Sequence, residues 1–186
     1  MVCVYVGTGI GSGLLLDNRV YGGTSNYAGE LGHIKVNNGE NVKRCGCGQF
    51  GCLEAEVGGL AIAQKAIDLH IIDASKSTAD LAVKAKTGNR EAILLLENVA
   101  EMLWLELSTV ASLLNPELIV ISGGVSEAYD LLSPALRDSV IRHSWRHSVR
   151  SLTIEKSRLG RTVAAHGAAI LAHYREGMSE DSGEFR

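Results

Sequence analysis

The segment Gly29–Glu56, GELGHIKVNNGENVKRCGCGQFGCLEAE, constrains this chain more than any other stretch. It gathers three of the four cysteines, Cys45, Cys47 and Cys52, with His33 twelve residues before the first of them. A histidine followed by C-x-C-x4-C offers one imidazole nitrogen and three thiolates, the Cys3His set that structural zinc binds tetrahedrally. Glycines 46, 48 and 51 let the short loop turn back so that all three sulfurs face one centre. Three thiols and one imidazole suit zinc better than an iron–sulfur cluster. A disulfide would strand one thiol. The remaining alternative is free thiols packed as small hydrophobic groups. Cys3 differs from the other three, because it alternates within an apolar run and reads as a core residue.

The amino-terminal stretch MVCVYVGTGIGSG lacks the basic region and small-residue cleavage site of a secretory signal. No apolar run approaches the roughly 20 residues needed to span a bilayer. The expected location is therefore cytoplasmic, with no membrane partner and with thiols kept reduced. A net charge of −3 argues against a nucleic-acid surface unless basic residues cluster. One cluster exists, RHSWRHSVR at Arg142–Arg150, and it reads as a solvated helix end and turn. With 186 residues, 46% of them hydrophobic, the chain can build one domain with a sizeable core.

Strand signals come first. VCVYVG is a short β-branched run, and GSGLLLDNRVYGG divides into two strands at Asp17-Asn18, a dipeptide that tolerates positive φ. Residues 24–51 are irregular and too long for an idle connection. From Leu53 the spacing turns helical, with Gly58-Gly59 weakening the first turns. STADLAVKAKTG predicts a capped helix ending at Gly88, and Arg90–Leu114 is the longest periodic segment, stopped by Asn115-Pro116. ELIVIS predicts a buried strand, a helix starts near Ser126, and RSLTIEKS predicts another strand. TVAAHGAAILAHYR predicts a small-residue helix that must pack closely on something. Strands followed by alternating helix and strand imply an α/β domain with a mixed sheet and flanking helices.

Two glycine turns carry a second kind of signal. GTGIGSG, from Gly7, follows a strand and opens a hairpin, so it is either an anion cradle of backbone N–H groups or a plain hairpin turn. ISGGVS (Ile121–Ser126) ends a strand and precedes a helix, where open α/β sheets receive ligands. It too can be an ordinary connection.

In combination these motifs resemble the ROK family, the bacterial sugar kinases and sugar-responsive repressors of the actin/hexokinase-like superfamily. AGELGHI and CGCGQFGCLE are similar to that family's E-x-G-H and C-x-C-G-x-x-G-C-x-E motifs, in order. GTGIG resembles its second phosphate loop, and NPELIVISGGVS the strand and turn that border adenosine. The resemblance implies the C-terminal lobe of an actin-like ATPase (ribonuclease H-like) fold over residues 1–175. A zinc and sugar loop would occupy 24–54, and a disordered polar tail 176–186. It implies a hexose or amino-hexose partner held by Glu30, His33 and Glu54, and structural zinc held by His33, Cys45, Cys47 and Cys52. ATP phosphates would face Gly7, Thr8, Gly9 and Gly11, with Gly123 and Gly124 against the nucleoside. His33 would serve twice, with one ring nitrogen on the metal and the other at the sugar. The resemblance also implies a homo-oligomer.

The family's Asp-Gly-Gly-Thr phosphate loop and Asn-Asp pair do not occur in these residues, and none of the seven aspartates suits the role of base. The expectation is thus the C-terminal lobe alone, inactive by itself. Its parent would be an ATP- and Mg-dependent glucokinase-like enzyme, towards which GTGIG and CGCGQ lean. The alternative is the effector-binding part of a sugar-responsive repressor, which would touch nucleic acid only through a domain outside this chain.

Overall fold

The computed structural model describes residues 1–39 and 42–178. Five strands form one mixed sheet in the order β3-β2-β1-β4-β5. Strand β1 (Val2–Val6) pairs antiparallel with β2 (Ile10–Leu16), which turns into β3 (Arg19–Val20). Asp17 and Asn18 make that turn with φ of 51° and 60°, the double left-handed conformation that the dipeptide predicts. On its other side β1 runs parallel to β4 (Leu118–Ser122), and β4 runs parallel to β5 (Thr153–Lys156).

Alternation along β1 buries Val2, Val4 and Val6 beside Ile119 and Ile121 of β4. Cys3 points to the opposite, half-buried face. The core expectation for Cys3 is therefore corrected: the period of two that buries the valines turns the cysteine away from them.

The glycine pair breaks the first helix in two, α1 (Leu53–Val57) and α2 (Gly59–Asp68), at the extended backbone of Gly58. Helix α3 (Thr78–Lys86) starts after Ser77, whose N–H donates to Asp80 Oδ2 at 2.9 Å. The 25-residue α4 (Arg90–Leu114) begins at Asn89, whose side chain accepts from Ala92 N–H, and stops at left-handed Asn115. One stripe of α4, including Leu96, Leu103 and Leu107, joins the core cluster of the described residues, and each such burial contributes about 1.5–3 kcal/mol.

A 3-10 turn at Gly124–Ala128 leads into α5 (Tyr129–His143). The basic run beyond α5 forms a turn on α4, where Trp145 N–H donates to Ser112 Oγ at 3.1 Å. Its Arg142, Arg146 and Arg150 are exposed, as expected of a solvated helix end.

Helix α6 (Val163–Met178) departs from expectation, because every residue from Ala164 to His173 is exposed. Its small residues pack closely on nothing among the described residues. The helix takes in 176–178 of the expected tail, and 179–186 lie outside the described residues. No described helix is long and apolar enough to cross a membrane.

Candidate functional site

The loop between β3 and α1 is pinned to the start of β2. Ser12 N–H and Oγ both donate to the Gly29 carbonyl, at 3.1 and 2.6 Å. A 3-10 turn at Leu31–His33 follows, and buried Leu31 anchors it to the core. That turn sets Glu30 and His33 side by side, with Glu30 Oε2 3.7 Å from His33 Nε2.

The cysteines arrive from a tight turn. Cys45 N–H donates to the Gln49 carbonyl at 2.7 Å and Gly48 N–H to the Cys45 carbonyl at 3.0 Å. Cys52 pairs antiparallel with Lys35, which brings the third sulfur back beneath the histidine. The ligand atoms of His33, Cys45, Cys47 and Cys52 all lie within 4.8 Å of one another.

Two of these separations test the fit to a metal. Cys47 Sγ lies 3.8 Å from Cys52 Sγ, and His33 Nδ1 lies 3.7 Å from Cys45 Sγ. A tetrahedral zinc with its usual bond lengths sets sulfur–sulfur edges of about 3.8 Å and sulfur–nitrogen edges of about 3.6 Å. The four side chains therefore fit a zinc-sized ion. Nδ1 would be the ligating nitrogen, leaving Nε2 towards Glu30.

The thiols are not alike. Burial pushes the Cys45 thiol up to about 11, whereas the Gln49 backbone N–H beside exposed Cys47 holds that thiol below the usual range. Lys35 Nζ sits 3.4 Å from Cys52 Sγ and donates to the Phe50 carbonyl at 2.7 Å, placing a cation next to the sulfurs.

Glu54 falls in the first turn of α1 and is half-buried. Oε2 accepts Ile10 N–H at 2.9 Å, and Oε1 lies 3.5 Å from Cys45 Sγ. Glu54 and His33 thus both border the Cys45 sulfur.

Gly7–Gly11 forms the connection between β1 and β2. The N–H groups of Gly7 and Ile10 are engaged, with Gly9 O and Glu54 respectively. Those of Thr8 and Gly9 take no protein partner among the described residues.

The second glycine turn adjoins the first, because parallel pairing sets Ser122 opposite Tyr5 at the carboxyl ends of β4 and β1. Gly123 has φ of 88°, and a Cβ there would fall 2.3 Å from the Val6 carbonyl oxygen, so no other residue fits without backbone movement.

Three contributors escape the sequence reading. Lys35 gives no signal because its role depends on a cross-loop pairing. Glu56 is buried, accepts from Asn37 Nδ2 at 3.1 Å, and lies 3.5 and 3.9 Å from Lys65 and Lys43. Gly58-Gly59 does leave a signal, since paired glycines at a helix start indicate close backbone approach as well as weak helix.

The chain folds as a mixed α/β domain with a Cys3His cluster on a loop inserted between strand and helix. The chain belongs to the ROK family, which it matches over residues 1–175. It is 28% identical over 170 residues to a xylose repressor from Caldicellulosiruptor bescii, covering 86% of this chain and 42% of that protein. It is 29% identical over 196 residues to a glucokinase from Halalkalibacterium halodurans, covering 99% and 59%. A crystal structure of a ROK family glucokinase from Streptomyces griseus, in complex with glucose and AMPPNP, superposes with a TM-score of 0.75. That pair is 26% identical, over 91% of this chain and 59% of the other. The chain spans about half the length of the curated relatives it matches.

Proposed function

We propose that this chain is the sugar- and nucleotide-facing C-terminal lobe of a ROK-family, ATP-dependent hexose kinase of glucokinase type. The observation that carries this reading is the meeting of Gly7–Gly11 with Gly123-Gly124 at the carboxyl ends of β1 and β4. There the Thr8 and Gly9 N–H groups, without a protein partner among the described residues, can donate to an anion. In this reading Gly7, Thr8, Gly9 and Gly11 face the phosphates, and Gly123 and Gly124 lie against the nucleoside. Glu30, His33 Nε2 and Glu54 bind hydroxyls of a hexose or amino-hexose. His33, Cys45, Cys47 and Cys52 hold structural zinc, which rigidifies the loop and sets the histidine tautomer. An aspartate outside this chain would deprotonate the sugar hydroxyl that attacks the γ-phosphate, with Mg²⁺ and loop amides stabilising the developing charge. The chain alone would not transfer phosphate, and it would act in the cytoplasm as part of a homo-oligomer.

The similarity to a repressor, nearly equal to that to a kinase, favours a second reading as the effector-binding part of a sugar-responsive regulator. Amide chemical shifts separate the two. The kinase reading expects Thr8, Gly9, Gly123 and Gly124 to respond to a non-hydrolysable ATP analogue with Mg²⁺, and Glu30–His33 to respond to hexoses. A sugar response without any nucleotide response would refute the kinase reading and favour the regulator.

A further inference from the structure

The Gly7–Ile10 turn is held by one short stretch of chain, Cys52–Leu60. Glu54 Oε2 accepts Ile10 N–H at 2.9 Å, Gly59 N–H donates to the Gly7 carbonyl at 2.8 Å, and Leu60 N–H donates to the Thr8 carbonyl at 3.1 Å. The approach leaves no room for side chains. A Cβ on Gly9 would lie 2.2 Å from Glu54 Oε2, and one on Gly59 would lie 2.1 Å from the Gly7 carbonyl oxygen. The same stretch starts at Cys52, whose sulfur belongs to the His/Cys cluster, and Glu54 Oε1 lies 3.5 Å from the sulfur of Cys45. One segment therefore has a candidate metal ligand at its head and three hydrogen bonds to the turn along its length.

We infer that Cys52–Leu60 couples metal occupancy to the conformation of the Gly7–Ile10 turn, with Glu54 as the positioning residue. The coupling rests on reading the cluster as a metal centre. Its physical basis is the weakness of the contacts that otherwise hold the sulfurs. Thiol contacts of 3.7 and 3.8 Å do not fix Cys45 relative to Cys52, whereas shared ligation does. Glu54 follows Cys52 by two residues and its Oε1 lies 3.5 Å from Cys45 Sγ, so the alignment of those two cysteines bears on whether its second oxygen reaches Ile10. Leu53 is fully buried and its N–H donates to the Ile34 carbonyl at 3.0 Å, so the helix start stays anchored. Without the metal it is the Glu54 carboxylate that loses a fixed neighbour in Cys45, and Ile10 N–H then loses its acceptor. The turn then ceases to present the Thr8 and Gly9 amides in one arrangement.

The test is amide hydrogen exchange by NMR on the ¹⁵N-labelled chain, metal-free and with one equivalent of zinc. Ile10 and Gly59 amides are expected to exchange about tenfold more slowly with zinc bound. Glu54→Ala is expected to take up zinc as the parent does but to lose the response at Ile10. Glu54→Gln keeps an acceptor oxygen and is expected to restore that response, which a merely destabilising substitution would not do. Bound zinc with unchanged Ile10 exchange in the unsubstituted chain overturns the coupling and leaves the metal centre standing. A zinc response that survives in Glu54→Ala overturns the role of Glu54. A chain that binds no zinc overturns the metal reading and the coupling with it. In the zinc-loaded chain, inorganic tripolyphosphate is the separate probe of the phosphate reading, since its failure to shift Thr8 and Gly9 refutes that reading and not the coupling.

Discussion

Glu56→Gln removes the charge that clamps the cysteine loop to the helical layer. Glu56 is 6% exposed, and its carboxylate accepts from Asn37 Nδ2 while facing Lys65 and Lys43. Losing a hydrogen bond to a charged group costs about 1.5–3 kcal/mol. Breaking a fully buried ion pair costs about 3–5 kcal/mol. The lower range applies here, because the Lys65 side chain is 30% exposed and its ammonium keeps the Glu56 carbonyl as acceptor at 3.0 Å. We expect a loss of about 2 kcal/mol in urea unfolding of the metal-loaded protein, read from the midpoint at constant slope. In a Lys65→Met background the same substitution should cost about 1 kcal/mol less, since no cation is left uncompensated. The pH dependence has a definite sign. Burial, and then Lys43, hold the Lys65 pKa below its ordinary value, while Glu56 pushes it back up. A depressed lysine pKa gives stability that is present above the unfolded value of about 10.4 and is lost as pH falls towards the folded value. Glu56→Gln depresses it further, so the variant should lose more stability than the parent between alkaline and neutral pH. A loss under about 0.5 kcal/mol, or an equal loss with Lys65→Met, would refute the clamp.

Other perturbations separate the site's parts. Purified protein should carry one zinc per chain, and chelation should lower its unfolding midpoint; a folded sample that takes up no zinc at neutral pH rejects the centre. Gly123→Ala should cost about 3–5 kcal/mol, combining positive φ with a clash on the Val6 carbonyl, and Gly11→Ala, with open space around its Cβ, should cost under about 1 kcal/mol. Equal thermal shifts for the two would refute the proposed crowding. Asp80, held below the usual carboxylate range by the Ser77 backbone N–H, should contribute stability above its unfolded pKa that is lost as pH falls through the folded one. Asp80→Asn should flatten that acid limb in a pH series of melting curves.

Local chemistry decided much of this protein without reference to its tertiary structure. Asp17-Asn18 dictates its hairpin turn, because few other residue pairs accept two left-handed conformations. Asn89 and Asn115 bound α4 because each satisfies its own helix end. The C-x-C-x4-C spacing with its glycines gathers the three cysteines around one tight turn, a short-range matter of loop geometry, while their meeting with His33 also needs the Cys52–Lys35 pairing.

Other features depend on residues distant in sequence. Whether Cys3 or Val4 faces the core follows from which sheet face the helices cover, and alternation alone is blind to that choice. The role of Gly58-Gly59 appears only once β1 ends against it, since a glycine pair encodes permission for close approach and not the partner. Lys35, Glu54 and Glu56 acquire their contacts through pairing across the loop and the packing of α1, and no periodicity records these. Helix α6 marks the other limit. Its small residues indicate close packing, but the surface that would receive them is not among the described residues.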